Sequence, residues 1–294
     1  MSRAPGRAGR FAFLVHPLVP VAQRLQGLRT ARFDVALGRS GGTSPDDCGV
    51  LAHVRYRGVE GVIVGVPMLP GELLADQERA LRCMRRAVQI AGPVDCVGLG
   101  SVLSVVAGRG AALQAACGVP VTTGNAATAW AAWRITEGLR AGRPVGVLGA
   151  RGTVGRALVE LLGAVGDPAD LGGFEVLVGA NTTGGTVAPG ALAAGTTLVD
   201  VALPPTLSGP APAGVRVVAG ERLTIPGGWE RDFWGWVFHV VAGYGVGHVY
   251  ACLLEPLVAV LEGRDAPWQQ GRLLPGATVA AFGEAAARHG LVVG

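Results

Sequence analysis

Gly149, Gly152 and Gly155 recur at three-residue spacing inside Pro144–Leu162, PVGVLGARGTVGRALVELL. The chemistry such spacing serves is anion binding. The first glycine permits a tight turn, the second lets backbone approach a pyrophosphate, and the third lets helix and strand pack closely. The unbonded N–H groups at the helix start then face the anion. Context gives the triplet its meaning in a chain with 48 glycines. Val145 to Gly149 is a short apolar run suited to a buried parallel strand, and Ala157, Leu158, Leu161 and Leu162 recur at helical spacing. The stretch therefore predicts a dinucleotide site at Gly149, Arg151, Gly152, Thr153, Val154 and Gly155, against the plainer reading of a structural turn. A second polar cluster, Thr122-Thr123-Gly124-Asn125, precedes a helical run. Thr123 and Asn125 are candidates either to orient a ligand or to cap that helix.

Composition removes some chemistries. All 25 basic residues are arginine, so Schiff-base and lysine general-base mechanisms are excluded. The net charge of +4 comes without basic-aromatic interleaving, which argues against nucleic acid and suits an acidic partner. Five scattered cysteines form no CxxC pair, so neither a disulfide framework nor a zinc site follows, and reduced thiols in a cytoplasmic setting fit. Arg3, Arg7 and Arg10 before Phe11–Ala22 sketch a signal peptide, but His16, Pro17 and Pro20 interrupt it. Phe233 to Leu254 lacks Asp, Glu and Arg, yet its histidines and glycines favour a buried or membrane-touching segment over a spanning one.

The elements that must position these residues alternate strand and helix. Strands are predicted at 11–15, within 53–66 as a hairpin turning near Gly58 or Gly61, within 94–106 as a strand leading into a glycine turn at Gly98–Ser101, and at 119–122, 145–149, 174–179, 197–202 and 215–218. Helices are predicted at 21–28, 72–90, 126–139, from Thr153 onward, at 249–262 and at 284–289, with 229 onward helical in general. Gly38 to Gly49 is a polar loop. Arg79, Arg82, Arg85 and Arg86 lie along one stripe, either a solvated face or a docking patch for an acidic carrier protein.

Several of these segments together resemble the long-chain acyl-[acyl-carrier-protein] reductases. The resemblance rests on FAFLVHPL, VGLGSVLSVV, TTGNAATAW, VGVLGARGTVGRAL, LVDVALPPTL, PGGWERDFWGW, VYACLLEPLVAVLEG and GEAAARHG. It implies an α/β fold in two domains. Residues 1–125 would form an N-terminal substrate domain, and 126–228 a shortened Rossmann-like parallel-sheet domain. Residues 229–294 would be C-terminal helices carrying Cys252 back onto the cleft. It also implies NADPH-dependent reduction of an acyl thioester to an aldehyde, the acyl group arriving on acyl carrier protein or coenzyme A. The family's reactive cysteine falls on Cys252, within Tyr250-Ala251-Cys252. A thiolate is a strong nucleophile near neutral pH, and a helix start would activate it. His248, four residues earlier, reaches Cys252 if both are helical, and His239 is a second candidate; either is otherwise an ordinary imidazole.

One departure stands out. After the glycine-turn helix the chain passes through GDPADLGG directly to Phe174–Gly179, so a strand–helix–strand is absent. No acidic residue or arginine is then identifiable where the ribose is normally read. Arg151 is the substitute contact for a phosphate, or else a plain surface arginine. The alternatives to a reductase are a non-redox acyl-handling enzyme using Cys252 and a carrier-docking scaffold that has lost the cofactor.

Overall fold

The computed structural model describes residues 8–17, 47–225, 230–231 and 248–293. The sequence-predicted helix at 21–28, most of the 38–49 loop, His239 and Phe233–Gly247 lie outside them. The chain divides into two compact α/β units. The first comprises Met1–Gly124, Gly227–Gly247 and Leu253–Gly271; the second comprises Asn125–Pro226, His248–Cys252 and Arg272–Gly294.

In the first unit, strands β1 (Arg10–Val15), β2 (Gly49–Tyr56), β3 (Val59–Gly65), β4 (Cys96–Leu99), β5 (Val121–Thr122) and β12 (Glu230–Arg231) form one sheet. Its order is β12-β2-β3-β1-β4-β5. β1 pairs in parallel with β3 and β4, and β4 with β5, while β2 and β12 add antiparallel partners. β1 is buried almost throughout, as a strand covered on both faces must be. The hairpin turns at Arg57-Gly58, both at positive φ, which leaves Gly61 inside a strand. The single helix predicted at 72–90 is two, α1 (Pro70–Ala75) and α2 (Gln77–Ala91). Asp76 breaks them apart because its carboxylate accepts from the Arg79 N–H, an N-cap that apolar periodicity does not reveal. Arg79 and Arg82 of the arginine stripe face acids on these same helices, Glu72 at 3.8 Å and Glu78 at 3.9 Å. A short helix α3 (Ala111–Cys117) precedes β5.

The second unit opens with α4 (Asn125–Arg140) and holds a five-stranded, all-parallel sheet. Its strands are β6 (Val145–Leu148), β7 (Val165–Gly166), β8 (Val176–Gly179), β9 (Thr197–Asp200) and β10 (Arg216–Ala219). Helix α5 (Thr153–Leu162) follows β6. The order β10-β9-β8-β6-β7 reverses direction between β6 and β8, the switch point where open α/β sheets bind ligands. Helix α7 (Gly276–Arg288) packs on α4 through Trp130 and Phe282, their rings edge to face at 5.7 Å. A separate ribbon pairs β11 (Arg222–Thr224) antiparallel with β13 (His248–Tyr250). After it comes α6 (Ala251–Leu261), so the stretch predicted as helical from 229 holds two short strands. No helix among the described residues is long and apolar enough to cross a membrane.

Candidate functional site

At the end of β6 the backbone turns on Gly149, whose φ is +79°. A Cβ there would stand 2.8 Å from the Ala180 carbonyl oxygen and from Asn181 Oδ1. A Cβ on Gly155 would overlap the Gly149 carbonyl oxygen. Both positions need glycine because backbone meets backbone, not because the turn is loose. The turn closes with Gly152 N–H donating to the Gly149 carbonyl at 2.9 Å, and α5 begins at Thr153. Its first N–H groups, on Thr153, Val154 and Gly155, lie where a helix has no backbone acceptors of its own.

Strand β7 changes the reading of this turn. It is only two residues long, yet it pairs with β6 and places Asp167 just past its end. Asp167 Oδ1 accepts from Gly149 N–H at 2.7 Å and Ala150 N–H at 3.2 Å, and its own N–H donates to the Val147 carbonyl at 2.8 Å. The expectation that no acid stands at the ribose-reading position is therefore corrected. The second strand of the unit survives as a stub, too short to register as a hydrophobic run. A carboxylate there favours ribose hydroxyls and repels a 2′-phosphate, which argues physically against NADPH. Arg151, the expected substitute phosphate contact, is 97% exposed, with its Nε 3.8 Å from Asp167 Oδ2.

In the first unit, the polar turn after β5 is occupied by its own surroundings. Glu255, on α6, is completely buried. It accepts from the Thr122 hydroxyl and, at 3.1 Å, from Gly124 N–H. Thr123 donates its hydroxyl to the Gln269 side chain and its N–H to the Gln269 carbonyl at 3.2 Å. These contacts anchor residues 253–271 to the end of the sheet and give the threonines structural employment. Asn125 is the first residue of α4. Burial, and after it the charge on Glu255, pushes the neighbouring Cys96 thiol far up, which leaves it inert.

Cys252 is the second residue of α6 and is partly exposed. The shared helix expected to carry both His248 and Cys252 is not present. His248 lies on β13, paired to β11, with Nδ1 3.5 Å from Thr224 Oγ1, so the two residues do not share a helical face. Sequence reasoning missed the groups that gather here instead. Ala251 N–H donates to the Glu221 carbonyl at 2.7 Å, which draws Glu221 to the start of α6. Burial pushes the Glu221 carboxyl up to about 7, and its Oε2 has no hydrogen-bond partner among the described residues. Tyr250 is also raised, first by burial and then by Glu221, while a hydrogen bond with Arg222 opposes the shift. No local pattern announces Glu221, because its burial depends on a strand pairing across residues 225–247.

No protein-family model matches the chain. Among curated proteins, it is 27% identical to an aminotransferase named PigE from Serratia sp., over 80% of this chain and 32% of that protein. The chain thus spans about a third of the length of the relative it matches. Among solved structures, a 5,10-methylenetetrahydrofolate dehydrogenase from the silkworm Bombyx mori aligns over 67% of this chain and 73% of that one, at 14% identity and a TM-score of 0.30. The aminotransferase match overturns the resemblance drawn from sequence segments. The acyl-carrier reductase family, aldehyde-forming thioester reduction, NADPH and the non-redox acyl-handling alternative are all corrected by it. The cofactor that aminotransferases employ, pyridoxal phosphate, does not fit either. It is held through a lysine amine, and this chain contains no lysine.

Proposed function

We propose that the second unit binds a ribonucleotide diphosphate whose ribose carries free 2′- and 3′-hydroxyls, and that it serves as the nucleotide-binding part of an amino-transfer system. The observation that carries this reading is Asp167, held by two backbone N–H groups of the glycine turn beside the switch point of a parallel sheet. In this reading the diphosphate takes the N–H groups of Thr153, Val154 and Gly155. The ribose hydroxyls donate to Asp167, and the close approaches at Gly149 and Gly155 keep the turn free of side-chain bulk. The link to amino transfer comes from the printed name of the Serratia relative. The match covers 32% of that relative, so the link is to a part of it only.

Calorimetric titration with ADP-ribose and with its 2′-phosphorylated form tests the proposal. ADP-ribose should bind, and the phosphorylated form should bind about tenfold more weakly or not at all, a difference of about 1.4 kcal/mol. Asp167→Ser should weaken ADP-ribose and abolish the preference. Absence of binding by either compound, or preference for the phosphorylated one, overturns the reading.

A further inference from the structure

Aminotransferases hold pyridoxal phosphate through a Schiff base to a lysine ε-amine. Every one of the 25 basic residues here is arginine. A guanidinium remains protonated throughout the range in which proteins function, so it offers no amine lone pair for that bond. The helix start at Thr153 does not rescue the fit. The groups beside it are Asp167, a carboxylate, and Arg151, a guanidinium 97% exposed. A phosphorylated aldehyde seated there would meet no amine among the described residues.

We infer that this chain does not itself carry out pyridoxal-phosphate transamination, because none of its side chains can form the Schiff base that holds that cofactor.

The test uses the purified chain with pyridoxal phosphate and an amino acid donor. Pyridoxamine phosphate should appear no faster than with pyridoxal phosphate and donor alone. Borohydride reduction followed by peptide mapping should leave pyridoxyl groups only on the α-amine that begins the polypeptide. Acceleration of more than about tenfold by the chain alone, or a stoichiometric internal adduct, overturns the inference. Titrating the same sample with ADP-ribose keeps the two proposals apart, since loss of nucleotide binding sinks the ribose-site reading and leaves this one standing.

Discussion

Two turns in this molecule pose the same electrostatic problem and solve it differently. Each follows a parallel strand, leads to a helix and presents backbone N–H groups to a carboxylate. In the first unit that carboxylate is Glu255, fully buried and bonded to the Thr122 hydroxyl and Gly124 N–H. In the second it is Asp167, 41% exposed, bonded to Gly149 and Ala150. A carboxylate sealed from water must be satisfied by protein and becomes a structural pin. One at the surface keeps an oxygen available to an incoming donor. Burial, rather than residue type, separates the pin from the candidate receptor.

Breaking the pin should produce the largest effect. Glu255→Ala strands the Thr122 hydroxyl and the Gly124 N–H and leaves a hole, so the first unit should lose about 3–5 kcal/mol in urea unfolding. Glu255→Gln, which keeps the shape and one acceptor, should recover part of the loss. Equal loss in both variants would mean the charge, not the hydrogen bonding, holds the turn. Next in size is Gly155→Ala. Its new methyl group would push against the backbone of Gly149 and Ala150, so the second unit should lose about 1–3 kcal/mol, and ADP-ribose binding should fall with it.

Opposite pH dependences sharpen the contrast between the units. His16 is buried in the first, its Nε2 accepting from Val102 N–H at 3.3 Å and its Nδ1 placed 3.0 Å from the Pro17 carbonyl. Burial lowers its pKa below the ordinary 6.5. The unfolded chain therefore takes up the proton first as pH falls, and the first unit should lose stability below about 6.5. Glu221 in the second unit is raised from 4.5 to about 7, mainly by burial. Its neutral form is native, so its contribution is complete below 4.5 and is lost as pH rises to about 7. Urea midpoints of the two units measured across pH 4 to 8 should slope in opposite senses. The slope of the second should vanish in Glu221→Gln.

What the sequence disclosed follows the range of the forces involved. Gly149, Gly152 and Gly155, together with the apolar run 145–148, are local signals, and the strand, turn and helix they predict are present. The α/β class was legible for the same reason. Asp167 was not, because β7 is two exposed residues held by pairing to β6, with no apolar alternation to mark it. Nor was the extended state of His248. It comes from pairing with Thr224, a partner 24 residues away, and helical periodicity from 249 onward points the other way. Glu255 sits in an apolar helix whose sequence gives no hint that Thr122, 133 residues earlier, receives its charge.

The smallest expected effect concerns Arg151, and it bears most directly on which turn is the receptor. Its guanidinium is 97% exposed and 3.8 Å from Asp167, so solvent screens the pair and the fold gains little from it. Arg151→Ala should leave the unfolding of the second unit unchanged within error. Ligand binding is a different matter, because a diphosphate on the α5 start brings negative charge to the same place. Removing the cation should then weaken ADP-ribose by about two- to threefold at low salt, and the difference should shrink as ionic strength rises. An Arg151→Ala variant that binds ADP-ribose more tightly would show that the arginine competes with the ligand for Asp167. In that case the exposed turn is as self-satisfied as the buried one.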